Sequence, residues 1–154
     1  MPSPTPCNGN GEHEAAQVLE KAGAKVDWSA SNGLGELVRL AEKRRAYRVD
    51  GAPRLGDIVL FHNTRDANED KQNNDWHSAA GIVLQAGRPF ESRVCVQGLS
   101  RLVRAWPNGP AVREHRGEVV NSFLRVPTHD DPPGTAYLSG SLYAGHIDIR
   151  RMVD

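Results

Sequence analysis

The order of elements along the chain predicts an α+β domain with a mostly antiparallel sheet. Helical periodicity is confined to the residues before 46, and short apolar strand-like runs follow one another after 55. The length, 154 residues, suits one core but not two.

Residues 1–11, MPSPTPCNGNG, are rich in proline, glycine and asparagine and read as a flexible lead-in, leaving 12–154 as the single domain. From Glu12 to Ala22 the positions Ala15, Ala16, Val18, Leu19 and Ala22 recur at helical spacing, and Gly23 is a natural stop. A second helix is expected from Leu34 to Arg45, with Leu34, Leu37, Val38 and Ala41 on one stripe. Leu55-Gly56-Asp57 then turns the chain into a strand, Ile58–Phe61. Further strands are expected at Gly81–Leu84, at Arg93–Gln97 with its alternating faces, and at Leu102–Trp106 before the Pro107-Asn108-Gly109-Pro110 breaker. Val119–Arg125 is a short apolar segment, His129–Thr135 a Pro-rich loop, and Tyr143–Ile149 a last strand. The sum is two N-terminal helices packed on a four- to six-stranded antiparallel sheet.

Nineteen basic residues balance nineteen acidic ones, so no overall field draws the chain to nucleic acid or to an anionic membrane. Lys43-Arg44-Arg45 with Arg48 reads as the solvated end of a helix. There is no apolar run of about 18 residues, so no membrane span is expected. The first residues lack the basic and apolar regions of a secretory signal peptide. The expectation is therefore a protein that stays inside the cell, or one whose leader has been removed. Two cysteines are no disulfide framework. Cys7 lies in the Pro/Gly/Asn tail and Cys95 in a strand-like Val-Cys-Val, which leaves open both a bridge and a free thiol beside a small core residue.

Four motifs occur in order: GDIVLFHNT at 56–64, DANED and NND within 66–75, NDWHSAAGIV at 74–83, and YLSGSLYAG at 137–145. Together they resemble papain-like cell-wall amidases and peptidases of the CHAP/NlpC type. The corresponding stretches there read GD-apolar-FDNT, a DxNxD-rich loop, ND…THVGIV and YL-G-L-AG. The resemblance spans nearly everything after residue 11. It implies a nucleophilic cysteine at the start of a helix, where free N–H groups and the helix dipole favour a thiolate. It implies a histidine base at the start of a neighbouring strand, and a polar residue on the next strand to orient it. Carried onto this chain, those roles fall to Cys7, His77 and Gln97.

The departures are as informative as the matches. Laid ungapped on Asn74–Val83, the base position falls on Ala79, and His77 stands two residues earlier, about 7 Å along a strand. Counted back from Gly23, the cysteine position falls near Gly11 or Glu12, with Cys7 about one turn further out. The usual Asp-Cys-Ser-Gly reads Pro6-Cys7-Asn8-Gly9. Two readings follow. One is a catalytically degenerate domain that binds a peptide-like ligand, peptidoglycan stem peptide first, or a protein partner. The other is an active cysteine amidase or endopeptidase using Cys7, His77 and Gln97. A base must reach its nucleophile within about 2.6–3.2 Å, and two independent displacements rarely preserve that, so the degenerate reading leads.

The remaining candidates concern a metal and a groove. Asp66, Asn68, Asp70 and Asp75 place oxygen ligands as in a calcium loop, although Lys71 stands where the sharp turn wants glycine and no closing bidentate glutamate follows. The expectation is weak Ca²⁺ binding or a solvated hairpin, with no cofactor required. His62, Trp76 and Cys95 are candidates to line a ligand groove, against turn and packing roles for the same residues. His13, His77 and Cys95 lack the spacing of a zinc site.

Overall fold

The computed structural model describes residues 5–64 and 76–153. Its elements are β1 (Thr5–Pro6), α1 (Glu12–Ala22), α2 (Leu34–Lys43), β2 (Tyr47–Arg48), β3 (Ile58–Phe61), β4 (Ala79–Gln85), β5 (Phe90–Val96), β6 (Leu99–Ala105), β7 (Glu114–His115), β8 (Glu118–Val119), α3 (Ser139–Leu142) and β9 (Tyr143–Ile147). The architecture is α+β. Three helices accompany a seven-stranded antiparallel sheet in the order β1-β6-β5-β4-β3-β9-β2, and β7-β8 form a separate hairpin.

The sheet has two strands beyond the five placed in the sequence, and one beyond the upper limit of six. The additional members are the two-residue edge strands β1 and β2, too short to show a period of two. Residues 5–11, read above as loose, are held in place. Thr5 and Pro6 pair with Ser100 and Leu99, Cys7 N–H donates to Gly98 O, and Gly98 N–H donates to Gly9 O.

β3 explains why the sheet has two cores. All four residues of Ile-Val-Leu-Phe are buried, which a central strand covered on both faces requires. Ile58 and Leu60 face α1 and α2 and meet Ala15, Leu19, Leu37, Val38 and Ala41. Val59 and Phe61 face the other way, into Ala79, Val83, Phe90, Val94, Val103 and Leu124. Side chains of this size each stabilise the fold by about 1.5–3 kcal/mol when fully buried.

Helix α1 begins at Gly11, in the left-handed region with φ 98°, and ends at Gly23, whose neighbour Ala24 donates its N–H to Leu19 O. Its first turn carries Glu12 and Glu14, which suit the positive end of the helix. Beneath the chain after β8, Arg125 is buried. It donates to Asn63 O at 2.6 Å and pairs with Asp131 at 2.8 Å.

Candidate functional site

The strand ends nearest the start of α1 gather the side chains with usable chemistry. His62 follows β3, and Trp76-His77-Ser78 lead into β4, so the β3–β4 pairing brings them together. Ser78 N–H donates to Phe61 O at 2.8 Å, and the Ser78 and Thr64 hydroxyls lie 2.6 Å apart. His77 has φ 47°, an unusual backbone for a non-glycine residue, and its N–H donates to His62 Nδ1 at 2.8 Å. That bond makes Nδ1 of His62 an acceptor, so the proton of the neutral ring sits on Nε2.

The rings form a ladder. Trp76 meets His62 edge-on with centroids 4.9 Å apart, His62 meets His77 at 4.7 Å, and His77 meets Tyr47 at 5.8 Å. Tyr47 Oη lies 3.3 Å from His77 Nε2. Tyr47 reaches it from β2 by lying over Gly145, where a Cβ would stand 2.7 Å from the phenol oxygen. Gly145 thus keeps a path open for the tyrosine. The outer end of the ladder is open, since Trp76 is 63% exposed.

Burial sets the protonation of the ladder. It pulls His62 down to about 4, helped by the charge of neighbouring His77. It also lowers His77, against an opposing pull from Glu42. Burial and then Glu42 push Tyr47 up to about 12. At neutral pH the ladder is therefore uncharged, with a protonated phenol and two neutral imidazoles. Such a surface can stack on a ring or an amide plane and exchange hydrogen bonds with neutral polar groups.

The candidate triad is not assembled. Cys7 is joined to Cys95 in a disulfide, so neither sulfur is a thiolate. Cys95 is accordingly not a groove-lining thiol; it faces the helices, opposite Ala80 across the β4–β5 ladder. Gln97 lies outside the strand expected to carry it. With Gly98 it forms the two-residue turn between β5 and β6, at φ 49° and 78°, as a tight hairpin of primed type requires. Its side chain is exposed, and its N–H donates to Asn10 Oδ1 at 2.8 Å. Ala79 is fully buried and points into the core remote from α1. The residue of β4 that meets the start of α1 is Ala80, whose N–H donates to Asn10 O at 2.8 Å.

Of the groove candidates, His62 and Trp76 are brought together with His77, and Cys95 is not. Asp66, Asn68, Asp70 and Asp75 lie outside the described residues. Among the described residues, no three His, Cys, Asp or Glu side chains gather as a metal site, and no helix is long and apolar enough to cross a membrane. Tyr47 was missed by the sequence reading because a lone tyrosine after a helix has no motif. Its only signal was the small Gly145 that makes room for it. No family model, curated protein or solved structure matches this chain.

Proposed function

We propose that the chain is a catalytically degenerate domain of the CHAP/NlpC type that binds a peptide-like ligand along the Trp76–His62–His77–Tyr47 ladder. Peptidoglycan stem peptide is the first ligand to try, on the strength of the motif resemblance. The observation that carries the reading is the contact between the start of α1 and the start of β4. In papain-like domains those two places supply nucleophile and base. Here they hold Gly11 in close contact with Ala80, while both cysteines are tied up with each other. What remains beside that contact is a neutral aromatic and imidazole surface. Neutral donors and acceptors suit amides, and the exposed indole offers a stacking plane. Glu42, close enough to act on both Tyr47 and His77, gives the ladder an acidic end for a ligand amine.

The test is titration of the full chain with a soluble stem tetrapeptide, followed by calorimetry and by tryptophan fluorescence. Binding should be saturable, and Trp76→Ala should weaken it about tenfold, or ~1.4 kcal/mol. The same peptide incubated with oxidised and reduced protein, then analysed by mass spectrometry, should stay intact. Cleavage that appears on reduction and disappears in Cys7→Ser would establish the enzyme reading instead. Absence of saturable binding would remove the peptide-groove reading.

A further inference from the structure

A second group of polar side chains lies on the opposite face of the sheet. His146 stands across the ladders from Val59 and Arg48, and directly opposed residues share a face, here the one turned away from α1 and α2. Beside it opens a cleft of about 710 Å³, walled by the chain around Arg48–Arg54 and by Asp148–Arg151.

The acids of this cleft are largely occupied within the fold. Asp57 accepts N–H bonds from Arg54 at 2.9 Å and from Ile149 at 3.3 Å, one on each oxygen. Asp148 accepts from Arg150 N–H at 3.2 Å and faces the Nε atoms of Arg150 and Arg151 at 3.5 and 3.9 Å. Two of the four lining arginines are not occupied in this way. The guanidinium groups of Arg48 and Arg54 line the cleft with no hydrogen-bond or ion-pair partner among the described residues.

His146 adds a fixed donor. It is only 3% exposed, and Tyr143 Oη lies 2.7 Å from its Nδ1. Among the described residues that ring nitrogen is the one hydrogen-bond partner of the phenol, so the phenol proton is directed to Nδ1. Burial, reinforced by the charges of Tyr47, Asp57 and Asp50, raises Tyr143 and keeps that phenol protonated. The proton of the neutral imidazole then resides on Nε2, which has no partner among the described residues although the residue lines the cleft.

We propose that this cleft binds a small oxyanion-bearing ligand, a carboxylate or a phosphate, between the guanidinium groups of Arg48 and Arg54 and the Nε2–H of His146. Two unengaged forks and one oriented N–H match the in-plane lone pairs of such a group. Asp50 is the lining carboxylate that has no hydrogen-bond partner among the described residues, and it limits how much negative charge the cleft tolerates. The site is distinct from the peptide groove, although Tyr47 of the one and Arg48 of the other are neighbours on β2.

The experiment titrates inorganic phosphate and N-acetylglycine separately into the full chain, followed by NMR of backbone amides, arginine side chains and the His146 ring. Contacts of this kind support an affinity of ~1 mM, so titration to about ten times that value reaches saturation. Saturable shifts at His146 and Arg54 are expected for at least one probe. Phosphate alone would identify a phosphate source, and N-acetylglycine alone a carboxylate source. Arg48→Gln with Arg54→Gln, both at exposed positions, should weaken binding at least tenfold. Asp50→Asn should tighten it several-fold. His77→Ala, on the other face, should leave it unchanged. Saturation by neither probe overturns the proposal, as does undiminished binding in the double arginine variant.

Discussion

Gly11 and Ala80 meet backbone to backbone. A Cβ built on Gly11 would run into the Ala80 carbonyl oxygen and stand 3.0 Å from the Ala80 carbonyl carbon and Cβ, and the φ of 98° is one that side chains rarely adopt. The N-terminal end of α1 is thus pressed against β4, with no room at Gly11 for a side chain. Gly11→Ala should therefore cost at least about 2 kcal/mol, from the strained φ and the forced separation of the two backbones. Urea unfolding measures it, and an unchanged midpoint would show that the contact is looser than described.

The bridge between Cys7 and Cys95 closes a span of 88 residues. Closing a loop of that length in the unfolded chain is worth about 4.5 kcal/mol by chain entropy alone. Reduction, or the Cys7→Ser with Cys95→Ser pair, should lower the urea midpoint accordingly. Residues 5–11 should lose hydrogen-exchange protection first, because their other ties are few: the short pairing with β6 and the bonds to Gln97, Gly98 and Ala80. Thiol titration of the unfolded, unreduced protein should find no free sulfhydryl. Two free thiols in freshly purified protein would contradict the bridge.

The elements with strong periodicity were legible in the residues. Glu12–Ala22 and Ile58–Phe61 fall where spacing and burial put them, and the helix at Leu34 ends at Lys43, two residues before the expected stop. What the sequence hid is non-local. The bridge joins a Pro/Gly tail to a strand cysteine, and nothing local to either marks the other. Gln97 alternates correctly with Arg93 and Cys95, yet Gln97-Gly98 is also a primed turn, and the register Val96↔Leu99 decides in favour of the turn. At the site, His62 and Trp76 were groove candidates and His77 a base candidate, and it is the β3–β4 pairing that sets them side by side. Tyr47 joins them from a two-residue strand at the far edge of the sheet.

The His62 imidazole gives the fold a pH dependence of known sign. Burial and His77 pull it down to about 4, below the ~6.5 of an unfolded histidine. A lowered histidine pKa means that the neutral form is the one stabilised by folding. Its contribution is present above about pH 6.5 and is lost as the pH falls through about 4. His62→Asn, which keeps an oxygen acceptor for the His77 N–H, should flatten stability between those limits. The ring resonances of His62, followed by NMR, should show no titration near pH 6.5. A midpoint at that pH would overturn the assignment.

Asp131 contributes to the acid limb below that window. Its carboxylate accepts from the Arg125 guanidinium at 2.8 Å, the Tyr137 hydroxyl at 2.7 Å, Thr128 N–H at 3.1 Å and the Thr128 hydroxyl at 3.0 Å. The Arg125 bond dominates, and together these hold the carboxyl well below its ordinary range. A lowered carboxylate pKa contributes stability that is full above the unfolded value of about 3.9 and is lost as the pH falls toward the folded one. Asp131→Asn should remove that acid-side loss and also lower stability at neutral pH, because it leaves the Arg125 side chain, 0% exposed, without its counter-charge. Removing both charges, as in Arg125→Met with Asp131→Leu, should cost less than Asp131→Asn alone, since no buried charge is then stranded. Thermal unfolding of the two variants and the parent at pH 3 and pH 7 separates the effects. A double variant less stable than the single one would show that the pair contributes through its hydrogen bonds to Asn63 and Tyr137 rather than through charge balance.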